Sequence, residues 1–186
     1  MCAAWRLKNH VPDNASLHPA AKDYGAKTSY EAARLARPEH AGLLQPFGDP
    51  LSGIMLIAES AADEATNAPL TDALRRSLAA VKLDRAYVTW YPPVLLEEIL
   101  SLEPCALVAV GPGAARAIDS LDYPLAKTGF SEVPEGSWFA WTKGTSALRL
   151  PALAPALGDV DAKRRFWRAF LALRALAPGK ETGSRP

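Results

Sequence analysis

A carboxylate stands directly after an apolar run in the middle of the chain. The run 54–58, IMLIA, has the composition of a buried strand, and Glu59 follows it at once. A carboxylate at the carboxyl end of a strand can orient a water molecule for attack on a bond. A solvated acid or a helix-capping acid is the alternative interpretation, and capping is favoured for Asp63 and Glu64 in the same segment. This segment is therefore one to search for chemistry that uses water.

A second segment joins an apolar run to a helical pattern through two glycines. Gly111-Pro112-Gly113 follows the run 105–110, CALVAV, and precedes AARAIDSL. Backbone N–H groups at the start of a helix suit a phosphate, although a plain turn is the alternative. The sequence contains no GxSxG, no Walker-type loop and no complete GxGxxG, so a small hydrolase or a nucleotide-binding protein lacks support.

Charge is distributed unevenly along the chain. The 186 residues carry a formal net charge of +1. Residues 1–141 hold 12 Lys/Arg against 17 Asp/Glu, a balance of −5, whereas residues 142–186 hold 9 against 3, a balance of +6. The C-terminal part therefore suits a polyanionic partner, although basic terminal helices are often only solvated faces.

The residue types that hold metals and clusters are scarce. Two cysteines, Cys2 and Cys105, are too few for a four-thiolate zinc or iron–sulfur site, and a cysteine near a terminus is a poor disulfide candidate. We interpret both as small apolar filler and expect no metal and no cofactor. No apolar run approaches the roughly 18 residues that a membrane helix requires, and the N-terminus lacks a signal-peptide pattern. A cytoplasmic monomer without membrane contact is expected.

Apolar runs alternate with amphipathic patterns from residue 54 onward. Strands are predicted at 54–58, 86–90, 105–110 and 137–141, and helices at 70–81 with Thr71 as a cap, at 94–102, after 111, and at 160–176. This order predicts an α/β fold: a three-layer α/β/α sandwich with a central, mostly parallel sheet of about four strands. Ligands of such sheets bind outside the carboxyl ends of the strands, which directs attention to 58–64, 89–93, 111–113 and 141–146.

The chain is long enough for one compact domain. Residues 1–42 are predicted to form an N-terminal arm, with a helix near 29–36, that packs on the domain. Residues 43–177 form the domain itself, and residues 178–186 have the composition of a disordered tail.

Five segments in this order resemble the uracil-DNA glycosylase superfamily, over residues 43 to 176. They are LIAESAADE with Ala68-Pro69-Leu70 after it, YVTWYPP, EEILSLEPCALVAVGPGAARAI, FAWTKGTSALRL, and DAKRRFWRAFLAL. The order and spacing of these segments are more specific than any one of them.

The resemblance implies a protein that binds DNA, flips a base out of the duplex and hydrolyses its N-glycosidic bond, as in base excision repair. It implies that Glu59, at the position of the family's acidic loop, is the catalytic residue, and that Leu70 and Trp90 lie in the substrate pocket. The DNA-binding residues that it implies are Gly111, Gly113, Lys143, Gly144, Thr145, Ser146 and Arg149.

The chain departs from the family pattern at several of these positions. Leu70 replaces a base-stacking Phe, Trp90 replaces an Asn that reads the uracil edge, and Gly144-Thr145 replace His-Pro. The four-cysteine cluster of some branches is also missing. Two hypotheses follow: a DNA glycosylase with an atypical site, or a catalytically silent relative that acts as a DNA-binding or nucleic-acid-binding module.

Overall fold

The structure, a computed structural model, describes residues 27, 44–61, 64–91 and 95–177. The strands are β1 (Ile54–Glu59), β2 (Tyr87–Tyr91), β3 (Ala106–Val110), β4 (Trp138–Ala140) and β5 (Ser146–Leu150). The α-helices are α1 (Glu64–Ala80), α2 (Leu95–Leu102), α3 (Pro112–Asp119) and α4 (Val160–Phe170). The predicted arm helix near 29–36 and the predicted tail at 178–186 lie outside the described residues.

One sheet of five strands runs through the middle of the domain, in the order β2-β1-β3-β5-β4. The first four of these strands are parallel, and β4 pairs antiparallel with β5 at one side. Helices α1 and α4 pack on one face of the sheet, and α2 and α3 pack on the other. The predicted three-layer α/β/α sandwich with a mostly parallel sheet is therefore confirmed.

Strand β1 shows why the sheet lies at the centre of the core. Its side chains alternate between the two faces: Leu56 and Ala58 pack under α1, whereas Met55 and Ile57 face α2 and α3. Both sets are buried, which explains why the strand has a continuous apolar sequence rather than an alternating one. The apolar sequence of this strand ends at Glu59, whose side chain is charged and partly exposed.

Three details differ from the predictions. Helix α1 begins at Glu64 and continues through Pro69, so Thr71 is no cap; its hydroxyl donates to the carbonyl of Asn67 one turn earlier, at 3.0 Å. Residues 146–150, for which no strand was predicted, form a strand inside the sheet. Cys105 is disulfide-bonded, so its interpretation as apolar filler was wrong.

In the part of the chain that the structure describes, no helix combines the length and the apolar composition that crossing a bilayer requires.

Candidate functional site

Glu59 lies at the carboxyl end of β1 and points toward the start of α3. Its Oε1 accepts hydrogen bonds from the backbone N–H of Gly113 and from that of Ala114, the latter at 3.1 Å. A carboxylate at this position satisfies two N–H groups that a helix leaves without internal partners, and its charge interacts favourably with the helix dipole. Glu59 therefore caps α3 in the structure.

Two glycines make room for this carboxylate. A Cβ on Gly111 would lie 2.6 Å from Cδ and from Oε2 of Glu59, and a Cβ on Gly113 would also collide with Oε1. The N–H of Gly111 donates to the carbonyl of Leu150 at 3.1 Å. Because both glycine N–H groups already have partners within the chain, a phosphate at this helix start would have to displace the Glu59 carboxylate.

Hydrogen bonds also hold the segment that follows Glu59. The hydroxyl of Ser60 donates to the carbonyl of Tyr91 at 3.2 Å, and the N–H of Ala61 donates to Oδ1 of Asn67 at 2.8 Å. These bonds tie the end of β1 to the end of β2 and to helix α1. Asp63, predicted to cap a helix, lies outside the described residues.

The parallel strands end at one edge of the sheet, which we call its carboxyl end. A small cavity opens there, beside Glu59. Its volume is about 50 Å³, and it is lined by Ala58, Glu59, Ser60, Leu70, Trp90, Val110, Ala152, Leu153 and Ala154. The structure thus brings together the predicted catalytic residue and both predicted pocket residues. Ligand pockets usually enclose about 300–1,000 Å³, so this cavity has room for a few water molecules and not for a nucleobase.

Leu70 and Trp90 explain why the cavity is small. Leu70 is 1% exposed and Trp90 is 4% exposed, and both belong to the core between the sheet and α1. The indole Nε1 of Trp90 is buried without a hydrogen-bond partner among the described residues. An indole offers one donor and no acceptor, so Trp90 cannot present the paired donor and acceptor that an amide offers to a base.

The predicted DNA-binding residues Lys143, Gly144 and Thr145 lie in the turn between β4 and β5, residues 141–145, which we call the Lys143 turn. This turn lies at the opposite end of the sheet. Ser146 begins β5, pairs with Ala106 at the start of β3, and donates its N–H to the carbonyl of Cys105 at 2.9 Å. The Thr145 hydroxyl donates to the carbonyl of Pro104 at 2.9 Å. Because β4 is antiparallel to β5, the turn between them lies at the amino end of the parallel strands. The expectation that 141–146 lies with Glu59 at the carboxyl end was therefore wrong.

Within this turn, the Thr142 hydroxyl oxygen accepts hydrogen bonds from the N–H groups of Gly144 and Thr145, at 3.2 and 3.0 Å. The Lys143 side chain is exposed to solvent. A lysine on a tight, exposed turn can contact a phosphate without a change in the backbone.

Arg149, a predicted DNA-binding residue, lies within β5. Its Nη1 donates to the carbonyl of Ser131 at 3.2 Å, and its Nε is buried without a partner among the described residues. This guanidinium is partly covered, so its replacement would disturb packing as well as charge.

No family model matches the chain, and no curated protein matches it. In the described part of the chain, no group of three or more His, Cys, Asp or Glu side chains is arranged to hold a metal ion.

The chain segment after β5 contributes to the cavity, and the sequence did not lead us to it. Ala152, Leu153 and Ala154 line the cavity because they follow a parallel strand at its carboxyl end. The signal that could have found them is Pro151, which ends the apolar pattern of β5 just as Pro92 follows β2. If 146–150 had been predicted as a parallel strand, the residues after it would have been expected to line a site at the carboxyl end of the sheet.

Proposed function

We propose that this chain is a DNA-binding protein of the uracil-DNA glycosylase superfamily that does not excise bases. The hydrogen bonds of the Glu59 carboxylate favour the silent DNA-binding protein over the active glycosylase. The carboxylate expected to orient the attacking water caps helix α3 instead, beside a cavity of about 50 Å³. A cytoplasmic location and a monomeric state belong to the same proposal.

Contact with DNA is supported by charge. In the described residues 142–177, seven Lys or Arg side chains stand against Asp159 and Asp161, a balance of +5. Neutralising phosphates with such side chains releases counterions, which is the main source of sequence-independent binding to nucleic acid. The choice of DNA over other polyanions comes from the family resemblance.

Base excision is the second candidate function. One observation favours it: Glu59, Leu70 and Trp90, which the family resemblance selected separately, line one cavity. A nucleobase would enter only if side chains of this cavity moved apart.

The proposal predicts that the protein cleaves no base. Oligonucleotides carrying uracil or hypoxanthine, single-stranded and double-stranded, should remain intact after incubation with the protein and alkaline treatment. A glycosylase of known activity on the same oligonucleotides serves as the positive control.

The variants Glu59→Ala and Glu59→Gln make this assay decisive. Glutamine keeps an oxygen that can accept the two α3 hydrogen bonds but loses the charge, so it separates capping from catalysis. Cleavage by the wild type that both variants abolish would establish the second candidate. Cleavage that both variants leave unchanged would exclude Glu59 as the catalytic residue. It would also refute the proposal that the protein does not excise bases.

The proposal also predicts DNA binding that weakens steeply as salt rises. Lys143→Ala should weaken binding of a labelled duplex, measured by fluorescence anisotropy, and should reduce the slope of log K against log[salt] by about 1, because one phosphate contact is lost. Arg76→Ala is the matched control, since Arg76 is exposed on α1 and already pairs with Asp72. Wild-type affinity and slope in Lys143→Ala would remove the turn from the interface, and absence of binding at low salt would refute the proposal.

A further inference from the structure

We infer that the solvent face of α4 binds single-stranded nucleic acid, with Trp167 stacking on an unpaired base and Lys163, Arg168 and Arg174 contacting phosphates. This inference rests on the proposed function and specifies both its contact surface and its substrate class. It concerns a surface other than the Glu59 cavity and the Lys143 turn.

The basic side chains of this face exceed the acids available to pair with them. Five follow one another along α4 and the 3₁₀ turn after it: Lys163, Arg164, Arg165, Arg168 and Arg174. Arg164 pairs with Asp161 at 3.1 Å, and Arg165 lies 3.9 Å from Glu135. The other three are exposed and form no ion pair with any described residue. This leaves three cations for an external anion.

The spacing of the three unpaired cations suits a chain of phosphates. With a rise of about 1.5 Å per residue in α4 and about 2.0 Å in the 3₁₀ turn, Lys163 and Arg174 lie roughly 18 Å apart along the axis. Successive phosphates of one strand lie about 3.4 Å apart along a duplex axis. A strand that keeps this stacked spacing would therefore lay about five nucleotides along the face, and an extended strand would lay fewer.

Trp167 adds a feature that a merely solvated basic face would lack. Its indole is partly exposed and stacks on Phe170 with ring centroids 5.7 Å apart, which fixes the ring against the core. Lys163 and Arg164 precede it by four and three residues, so their side chains neighbour the indole on the helix surface. Aromatic stacking combined with backbone cations is how proteins bind single strands without reading sequence.

Duplex DNA cannot use this arrangement fully. Its bases are stacked on one another inside the helix, so Trp167 would gain nothing while the cations would still contact phosphates. We therefore expect tighter binding of a single strand than of a duplex with the same number of phosphates.

The experiment compares a labelled 15-nucleotide single strand with a hairpin duplex of equal length, by fluorescence anisotropy at several salt concentrations. Trp167→Leu should weaken single-strand binding about 5- to 160-fold, from the ~1–3 kcal/mol that one stacked base contributes, and should leave duplex binding unchanged. Trp167→Phe, which keeps an aromatic ring, should restore most of the loss. Lys163→Gln and Arg168→Gln should weaken both substrates, with Arg76→Gln as the control on α1.

The outcomes separate this inference from the function on which it rests. If no nucleic acid binds at low salt, the proposed function fails. If duplex binds but the single strand is not preferred, or if Trp167→Leu binds the single strand as the wild type does, only the present inference fails. Heparin tests general polyanion binding: a Trp167→Leu loss of equal size on heparin would mean that the residue acts through folding, which thermal melting of the variant would also reveal.

Discussion

Replacing Phe170 by alanine should lower the free energy of unfolding by about 3–5 kcal/mol. The Phe170 side chain is fully buried and stacks on Phe166 at 5.4 Å and on Trp167 at 5.7 Å between ring centroids. Its removal would leave a cavity between α4 and the sheet, where rigid neighbours can only partly collapse. Urea unfolding followed by far-ultraviolet circular dichroism measures the loss.

Leu125→Ala is the control for this experiment. Leu125 is 65% exposed, so truncating it removes apolar surface that water already reaches, and we expect a change below about 0.5 kcal/mol. Similar losses in the two variants would mean that Phe170 does not anchor α4. The basic face of α4 would then lack the fixed backbone that its phosphate spacing requires.

Replacing Gly111 by alanine should destabilise the fold by about 1–3 kcal/mol. Gly111 has φ 101° and ψ 156°, a region that only glycine adopts readily. Its new methyl group would also lie 2.6 Å from the Glu59 carboxylate, which would have to leave the start of α3. Thermal unfolding and the amide chemical shifts of Gly113 and Ala114 report the two effects.

Gly144→Ala provides a matched glycine in the turn at the opposite end of the sheet. A Cβ there would meet no atom within 4 Å, so the substitution should be nearly neutral. Equal stability of the two variants would contradict the strain at Gly111. Unchanged amide shifts in Gly111→Ala would contradict the position of the Glu59 carboxylate.

Strands that are buried on both faces were predictable because their composition is uniform. The predicted ranges 54–58 and 105–110 match β1 and β3 to within one residue at each end. Helix α2 was equally clear, because Pro104 limits it and its apolar side chains recur at helical spacing. For these elements, local composition and tertiary position agree.

Strand β5 was missed because its character depends on distant partners. Ser146 and Arg149 interrupt its apolar pattern, and the strand is stabilised by pairing with β3, about forty residues earlier. The direction of β4 is also invisible in its sequence, and this direction places the Lys143 turn at the amino end of the sheet. Pairing between strands that are distant in sequence, rather than the strand propensity of each segment, decides both the existence of β5 and the direction of β4.

The candidate site was predicted in part for the same reason. Glu59 ends β1 and Trp90 lies one residue before the end of the adjacent parallel strand β2, so topology alone brings them together once β1 and β2 are known. The sequence left both capping and the orientation of water open for Glu59, because an acid directly after a strand can serve either role. The structure distinguishes the two roles because it places the N–H groups of Gly113 and Ala114 against the Glu59 carboxylate.

The placement of Glu59 and Lys143 at opposite ends of the sheet limits the size of any ligand that uses both. Five strand residues extend about 16 Å, so a mononucleotide is too short to reach from one to the other. At the axial rise of about 3.4 Å per nucleotide of a stacked strand, a bridging strand contains roughly five nucleotides and follows the surface around the sheet. A molecule that binds both residues is therefore an oligomer, whereas a free base or nucleotide can occupy only one end.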